Sequence, residues 1–172
     1  MLKQIKELLI KDIRLNWRER YSLYSMILYV VSTSYISYLS FEGIINKNSW
    51  IALFWIIVFF SAINACLQSF KRELNHQAIF FFTLADPKAI ITSKIIYNSV
   101  LLICLNVISY IIYSIFLGNP ITEKTPFILC LIFGSATLAS ILTLIAAISS
   151  KTNNSSGLMA ILSLPILFPL LI

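Results

Sequence analysis

The chain of 172 residues is 59% hydrophobic and only 12% charged, and its mean hydropathy is +0.88. Soluble domains are roughly 45–50% apolar and about 25% charged, so this composition excludes a water-soluble globule. Thirteen Lys and Arg against seven Asp and Glu give a net charge of +6, and six of the basic residues fall within the first 20 positions. Basic residues beside apolar runs are typical of a membrane surface, so we do not expect nucleic-acid binding.

Residues 1–20 predict an amphipathic helix that lies on the membrane surface. Apolar residues recur there at spacings of three and four, while most lysines and arginines occupy other faces. Trp17 and the apolar run that follows favour the membrane interface over an ordinary solvated helix. The apolar positions of this helix are Leu2, Ile5, Leu8, Leu9, Ile13 and Trp17.

Five uncharged apolar stretches follow and predict an all-helical, polytopic transmembrane domain over residues 21–172. The first four each exceed the roughly 20 residues that a helix needs to cross about 30 Å of hydrocarbon. The fifth is shorter and reaches Ile172, so either the last helix is unusually short or, as we expect, the native chain continues past it. The predicted spans are residues 21–41, 50–70, 95–117, 127–148 and 157–172, with a loop over 71–94.

Lysine and arginine are distributed unequally between the two sides of these spans. Eleven of the 13 fall on the side of the N-terminus, and only Lys47 and Lys124 fall on the other side. Because cytoplasmic loops carry the excess of positive charge, we expect the N-terminus and the 71–94 loop in the cytoplasm. Aromatic residues near the span boundaries, Trp50 among them, are expected to anchor the protein at the membrane interface.

The predicted spans offer no chemistry of their own. No Asp, Glu, Lys, Arg or His lies in the middle of a span, which disfavours an ion-driven pump or a proton relay. The chain has no phosphate-binding loop, His-Glu-x-x-His pair or Gly-x-Ser-x-Gly elbow, and its three cysteines lack metal-ligand spacing. We therefore expect a non-enzymatic protein without a catalytic or metal site, driven by energy from another subunit.

The 71–94 loop is longer than a turn between antiparallel helices requires, and it contains an apolar block too short to span a membrane. It could dock into a groove on a soluble partner, or form a re-entrant or interfacial segment that packs on the protein's own helices. His76, the only histidine, is expected to be solvated or to contact a partner rather than to ligate haem. The candidate contact residues of this loop are Leu74, Ile79, Phe80, Leu84, Asp86 and Pro87.

Polar and small residues mark two further features of the spans. Asn64 and Asn106 could line a substrate path, although hydrogen bonding between helices is the more common use of such amides. Gly134, Ser135 and Ala139 predict a close helix contact in the fourth span, either with a sister helix or with a second copy of the chain.

The order of these features resembles the CcmB family along essentially the whole chain. The basic N-terminal helix and the long loop are followed by residues 93–97 (Ser-Lys-Ile-Ile-Tyr) and by residues 163–172 (Ser-Leu-Pro-Ile-Leu-Phe-Pro-Leu-Leu-Ile). The Leu-Pro-x-x-x-Pro-Leu-Leu-Ile run is the sharpest of these motifs. Its two prolines, Pro165 and Pro169, bend or weaken the fifth span because each removes a backbone donor, and the kink is either a hinge or a fixed shape.

The resemblance implies a type II (ABC-2-like) transporter permease of six spans, here ending within the fifth. Such a subunit belongs to the haem exporter complex of cytochrome c maturation, where ATP hydrolysis in a separate subunit drives release of the haem-loaded periplasmic chaperone. Haem would then be cargo and ATP would be bound by the partner. In this family the loop residues Leu74, Ile79, Phe80 and Leu84 would form the ATPase-coupling loop. A Gly-x-Leu-Glu-like pattern of the family reads Gln-Ala-Ile-Phe at residues 77–80, which predicts a more aromatic contact.

The partners that the resemblance implies are a CcmA-like cytoplasmic ATPase, a CcmC-like haem-handling membrane subunit, a small CcmD-like protein and a CcmE-like periplasmic haem chaperone. A second copy of the chain and membrane lipid are further candidates, and the expected location is the bacterial inner membrane. Two alternatives stay open at this point. One is an ABC permease for another substrate, such as a lipid or a drug, and the other is a membrane scaffold without an ATP-driven cycle.

Overall fold

The computed structural model describes residues 2–18, 20–74, 86–149, 157–159 and 161–165, and over these residues it contains helices and connecting loops but no strand. The helical class predicted from the sequence is thus confirmed. Residues 157–159 and 161–165 are helical as well. The long helices are α1 (Leu2–Arg18), α2 (Arg20–Phe41), α3 (Lys47–Leu74), α4 (Pro87–Leu117) and α5 (Lys124–Ser149).

Three of the described helices are long and apolar enough to cross a membrane: Lys47–Ser69 in α3, Lys88–Leu117 in α4, and all of α5. Helix α2 covers the first predicted span, but its six serines, one threonine and five tyrosines keep it outside this group. Thr33, Ser37 and Ser40 satisfy their hydroxyls by donating to main-chain carbonyls one turn back in the same helix. The count of six spans therefore stays a prediction.

The loop predicted over residues 71–94 is helical at both of its ends. Helix α3 continues to Leu74, and α4 begins at Pro87 rather than at residue 95. The sequence prediction ended the loop where the charged residues end, whereas the helix starts at its capping signals. Asp86 is the N-cap and Pro87, which has no N–H to leave unpaired, follows in the first turn. Residues 87–94 are thus the first two turns of α4, and residues 75–85, which precede the N-cap Asp86, lie outside the described part of the chain.

Helix α4 is central, since it contacts each of the other four long helices. Its most extensive contact is with α5, and the short connection over residues 118–123 makes these two helices antiparallel. The C-terminus of α3, the N-terminus of α4 and helix α1 lie together at what we call the α1 end of the bundle. The start of α3, the end of α4 and the start of α5 form the opposite end, called the aromatic end.

Helix α1 packs against the bundle as well as being amphipathic. Ile5, Leu8 and Leu9 are half-buried, whereas Ile13, predicted to share their face, is 55% exposed. The most buried described side chain of α1 is Asp12, at 5% exposure. A charged residue therefore lies on the face of α1 that packs against the bundle. The prediction of a purely interfacial helix did not anticipate this. Its contact with lipid stays a prediction.

The prediction that Trp50 anchors the protein at the membrane interface is wrong, because its side chain is fully buried. The indole Nε1 donates a 3.0 Å hydrogen bond to the carbonyl of Gly118, so its polar group is satisfied inside the protein rather than at the lipid headgroups. Its ring stacks on Phe54 at a centroid distance of 5.6 Å and meets Tyr113 edge-on at 4.8 Å. The aromatic cluster consists of Trp50, Phe54, Tyr110, Tyr113 and Phe127.

The small-residue face of α5 meets sister helices of the same chain. Ser135 and Ala139 are fully buried. Gly134 allows the indole of Trp55 from α3 to approach closely, since a Cβ at this position would lie 2.9 Å from the Cη2 atom of that ring. The alternative left open by the sequence is thereby resolved for these residues in favour of a contact within the chain.

Candidate functional site

The candidate partner-contact segment connects α3 to α4 at the α1 end of the bundle. Its first predicted residue, Leu74, is the last residue of α3, and Asp86 and Pro87 form the start of α4. Ile79, Phe80 and Leu84 lie outside the described residues, as does His76. The structure therefore describes the end of α3 and the start of α4, which flank residues 75–85 and which we call the two arms of the contact segment. The contact residues between these arms stay predictions.

Asp86 has a defined structural task. Its Oδ1 atom accepts a 3.0 Å hydrogen bond from the main-chain N–H of Lys88, which satisfies one of the unpaired donors at the start of α4. The carbonyl of Asp86 also accepts from the N–H groups of Ala89 and Ile90. The side chain of Asp86 is exposed. The residue thus sets where α4 begins and, with it, where the contact segment ends.

A buried ion pair lies just inside the two arms. The Nζ atom of Lys94 on α4 is 3.3 Å from Oδ2 of Asp12 on α1, and their side chains are 4% and 5% exposed. The same Nζ donates a 3.3 Å hydrogen bond to the carbonyl of Ser69 on α3. Lys11 adds a longer contact of 3.7 Å to the other carboxylate oxygen of Asp12. We call the group formed by Asp12, Ser69 and Lys94 the charged junction, since it joins three helices at one point.

Two amide–hydroxyl pairs join α4 to α5 in the buried centre of the bundle. Asn106 donates a 2.7 Å hydrogen bond to the hydroxyl of Ser135, and Asn98 donates a 2.9 Å bond to the hydroxyl of Thr143. The two pairs are about two helical turns apart on antiparallel helices, so they form a regular ladder. The Oδ1 atoms of Asn98 and Asn106 have no hydrogen-bond partner among the described residues.

The structure does not bring Asn64 and Asn106 to a common surface. Asn106 is fully buried between helices, whereas the side chain of Asn64 is exposed and donates 3.1 Å to the carbonyl of Phe60 in its own helix. Asn106 therefore makes the interhelical hydrogen bond that was the more common alternative. A substrate path along these two amides stays a prediction.

Of the two prolines predicted to kink the fifth span, only Pro165 is described. It lies in the helical residues 161–165 and is exposed, and Pro169 lies outside the described residues. The kink itself therefore stays a prediction.

Sequence reasoning missed the charged junction because it assigned Lys94 to the 71–94 loop and gave Asp12 no role. A signal for it was present. Lys94 lies between two apolar stretches, with Ile90 and Ile91 before Thr92 and Ser93, and Ile95 directly after it, so it is a single cation in a largely apolar context. A lysine in that context requires a partner, since an unpaired charge in an apolar environment is strongly disfavoured.

Comparison with known proteins gives one match. The family model described as CcmB protein matches residues 3–172. No curated protein and no solved structure matches the chain. The matched range contains the residues of the charged junction, the amide–hydroxyl ladder, the aromatic cluster and the contact segment.

Proposed function

The chain belongs to the CcmB family, and we propose that it acts as the permease subunit of a haem exporter ABC complex in cytochrome c maturation. Membership makes it a membrane permease subunit of a complex with other subunits, and α3, α4 and α5 have the length and composition for that role. The proposal adds that the chain itself is not catalytic. ATP would be hydrolysed by a CcmA-like subunit, and the hydrolysis would drive release of a haem-loaded CcmE-like chaperone.

The observation that carries the proposal is the match over residues 3–172, and the bundle supplies a mechanical basis for it. Residues 75–85 lie between the ends of two helices that run from the α1 end to the aromatic end. Helices of 28 and 31 residues are about 42 and 46 Å long, so a displacement of this segment would be carried across the hydrocarbon layer. We propose that the ATPase contacts this segment.

Haem is proposed as cargo of the complex rather than as a resident cofactor of this chain. Haem handling would fall to the CcmC-like subunit and the CcmE-like chaperone, with a CcmD-like protein as a further member and a second copy of this chain as a candidate partner.

The proposed location is the bacterial inner membrane, with the α1 end in the cytoplasm. The distribution of lysine and arginine supports this orientation, because 11 of the 13 lie on the side of the α1 end. A periplasm-specific reporter inserted at Ile44, in the α2–α3 loop, is expected to be active, and the same reporter at the N-terminus inactive. The opposite pattern would invert the proposed topology.

Recruitment of the ATPase tests the coupling role directly. Phe80→Asp and Leu84→Asp are expected to abolish association of the CcmA-like subunit with membranes, because each places a charge in the proposed apolar contact. Ile44→Asp is the matched control, since Ile44 is 85% exposed in a loop at the opposite end of the bundle. Normal recruitment by Phe80→Asp and Leu84→Asp at normal membrane levels would contradict the proposed contact.

A further inference from the structure

Among the residues whose side-chain burial the structure describes, Asp12 and Lys94 are the only charged residues that are buried. Their charges are 3.3 Å apart, and Lys94 also bonds the main chain of Ser69. Removal of two charges from water is strongly unfavourable, and their pairing offsets this only when the geometry is good. A packed apolar contact would join these helices at least as well, so the presence of the pair calls for a role beyond adhesion.

The position of the charged junction suggests that role. Ser69 lies between one and two turns before Leu74, where α3 ends, and Lys94 lies about two turns after Pro87, where α4 begins. The junction therefore clamps both arms of the 75–85 segment at the same level of the bundle. Asp12 joins α1 to the clamp at that level.

We propose that the Asp12–Lys94 ion pair is a positioning link that makes α1 and the two arms of the contact segment move as one unit. When the partner ATPase displaces residues 75–85, the link passes the movement to α4 without allowing the arms to separate. Because α4 contacts every other long helix, the movement then reaches the rest of the bundle. This inference rests on the proposed function, and it assigns coupling, rather than partner binding, to Asp12 and Lys94.

The inference predicts that variants of the ion pair keep ATPase recruitment but lose maturation of c-type cytochromes. Partner binding uses residues 75–85, which the ion pair does not include, so Lys94→Met and Asp12→Asn should still recruit the ATPase to membranes. Maturation of c-type cytochromes requires the transmitted movement, so it should fall by at least about fivefold, the lower range of typical coupling effects. A residue with a merely structural role would lower both measurements together with the membrane level of the protein.

Matched controls exist on the same two helices. Lys88 is an exposed lysine on α4 and Glu7 is an exposed acidic residue on α1. Lys88→Met and Glu7→Gln remove the same charges without touching the junction, and both are expected to support normal cytochrome maturation. Asp12→Glu keeps the charge, and the reciprocal exchange Asp12→Lys with Lys94→Asp restores the pair in reversed orientation. Both are expected to recover most of the maturation that the single neutral variants lose.

The geometry can be checked independently of function with an amine-reactive reagent on intact membranes. Lys88 is exposed and should be labelled, whereas Lys94 is 3% exposed and should be protected. Asp12→Asn should increase labelling of Lys94. Labelling of Lys94 equal to that of Lys88 in the wild-type protein would overturn the inference.

The experiment compares these variants in a strain that lacks the chromosomal gene, with membrane level, ATPase recruitment and covalent haem in c-type cytochromes measured in the same cells. Retained recruitment with lost maturation, restored by the reciprocal exchange, supports the link. Maturation by Lys94→Met equal to that of Lys88→Met overturns it, as does a parallel loss of recruitment and maturation. If the single variants do not accumulate, the reciprocal exchange decides: accumulation without maturation overturns the inference. Failure of the wild-type chain itself to recruit the ATPase counts against the proposed function instead.

Discussion

The side-chain amide of Asn106 donates a 2.7 Å hydrogen bond to the hydroxyl of Ser135, which in turn donates 2.5 Å to the carbonyl of Leu131. This chain of bonds links α4 to α5 at a fully buried position in the bundle. An interhelical hydrogen bond of this kind fixes the register of two apolar helices, which lipid alone does not specify.

Asn106→Leu is therefore expected to lower the stability of the bundle by about 0.6 kcal/mol, the average for hydrogen bonds between membrane helices, and by at most about 1.7 kcal/mol. Asn64→Leu is the control, because the Asn64 side chain is exposed and bonds only the carbonyl of Phe60 in its own helix. Thermal unfolding of the detergent-purified proteins measures both. If Asn64→Leu abolishes cytochrome maturation while its melting temperature is unchanged, the amide belongs to a substrate path and not merely to the helix surface.

Substitution of Trp50 is expected to lower the stability of the bundle more than substitution of any other residue of the aromatic cluster. Trp50→Phe keeps the stack on Phe54 but loses the hydrogen bond to the Gly118 carbonyl, at a cost of about 1 kcal/mol. Trp50→Ala removes the buried ring and is expected to cost about 3–5 kcal/mol. Tyr21→Ala, at a residue 87% exposed, is the control for loss of an aromatic side chain. Equal melting temperatures for Trp50→Ala and Tyr21→Ala would show that Trp50 acts as an interfacial anchor after all.

A substitution at Gly134 tests whether α5 approaches α3 closely at this position. Any side chain at this position meets the far edge of the Trp55 ring, since a Cβ would lie 2.9 Å from its Cη2 atom. Gly134→Val is expected to destabilise the bundle by about 1–3 kcal/mol through overpacking. Trp55→Phe removes that edge of the ring, so the double variant should recover part of the loss in thermal unfolding. An additive effect of the two substitutions would contradict the contact.

Substitutions of Asp86 distinguish a helix-capping role of this residue from a partner-binding role. Asp86→Ala is expected to destabilise the start of α4 by about 0.5–2 kcal/mol, because the N–H of Lys88 loses its acceptor. Asp86→Asn keeps an oxygen for that bond and should retain both stability and ATPase recruitment. Loss of recruitment by Asp86→Asn with an unchanged melting temperature would instead place the carboxylate in the partner contact.

The sequence predicted the helical class and most of the long helices, because uninterrupted apolar runs of this length have few alternatives to a helix in a membrane. It placed the start of α4 too late, since it followed the charges instead of the Asp86-Pro87 capping signal. It also assigned Trp50 to the membrane interface, although the ring is buried in the bundle. Proximity to a predicted boundary does not show whether a side chain points toward lipid or toward a neighbouring helix.

The sequence context of Lys94 indicates that it needs a partner, but that this partner is Asp12 could not be predicted, for a different reason. The two residues are distant in the chain, and their pairing depends on α1 packing against α4, which periodicity cannot reveal. Partner contact by Phe80 and Leu84 was one of two alternatives left open by the apolar block of the loop, and only the family resemblance makes that partner an ATPase. Those two residues lie outside the described part of the chain, so recruitment assays are the test of their role.

Covalent haem in membrane c-type cytochromes measures the central claim most directly. We predict that a strain lacking the gene produces apocytochromes without bound haem, and that a restored copy of the full gene returns the haem stain. The wild-type copy should also restore recruitment of the ATPase to membranes. An unchanged haem stain in the deletion strain would contradict the account and would favour an ABC permease for another substrate.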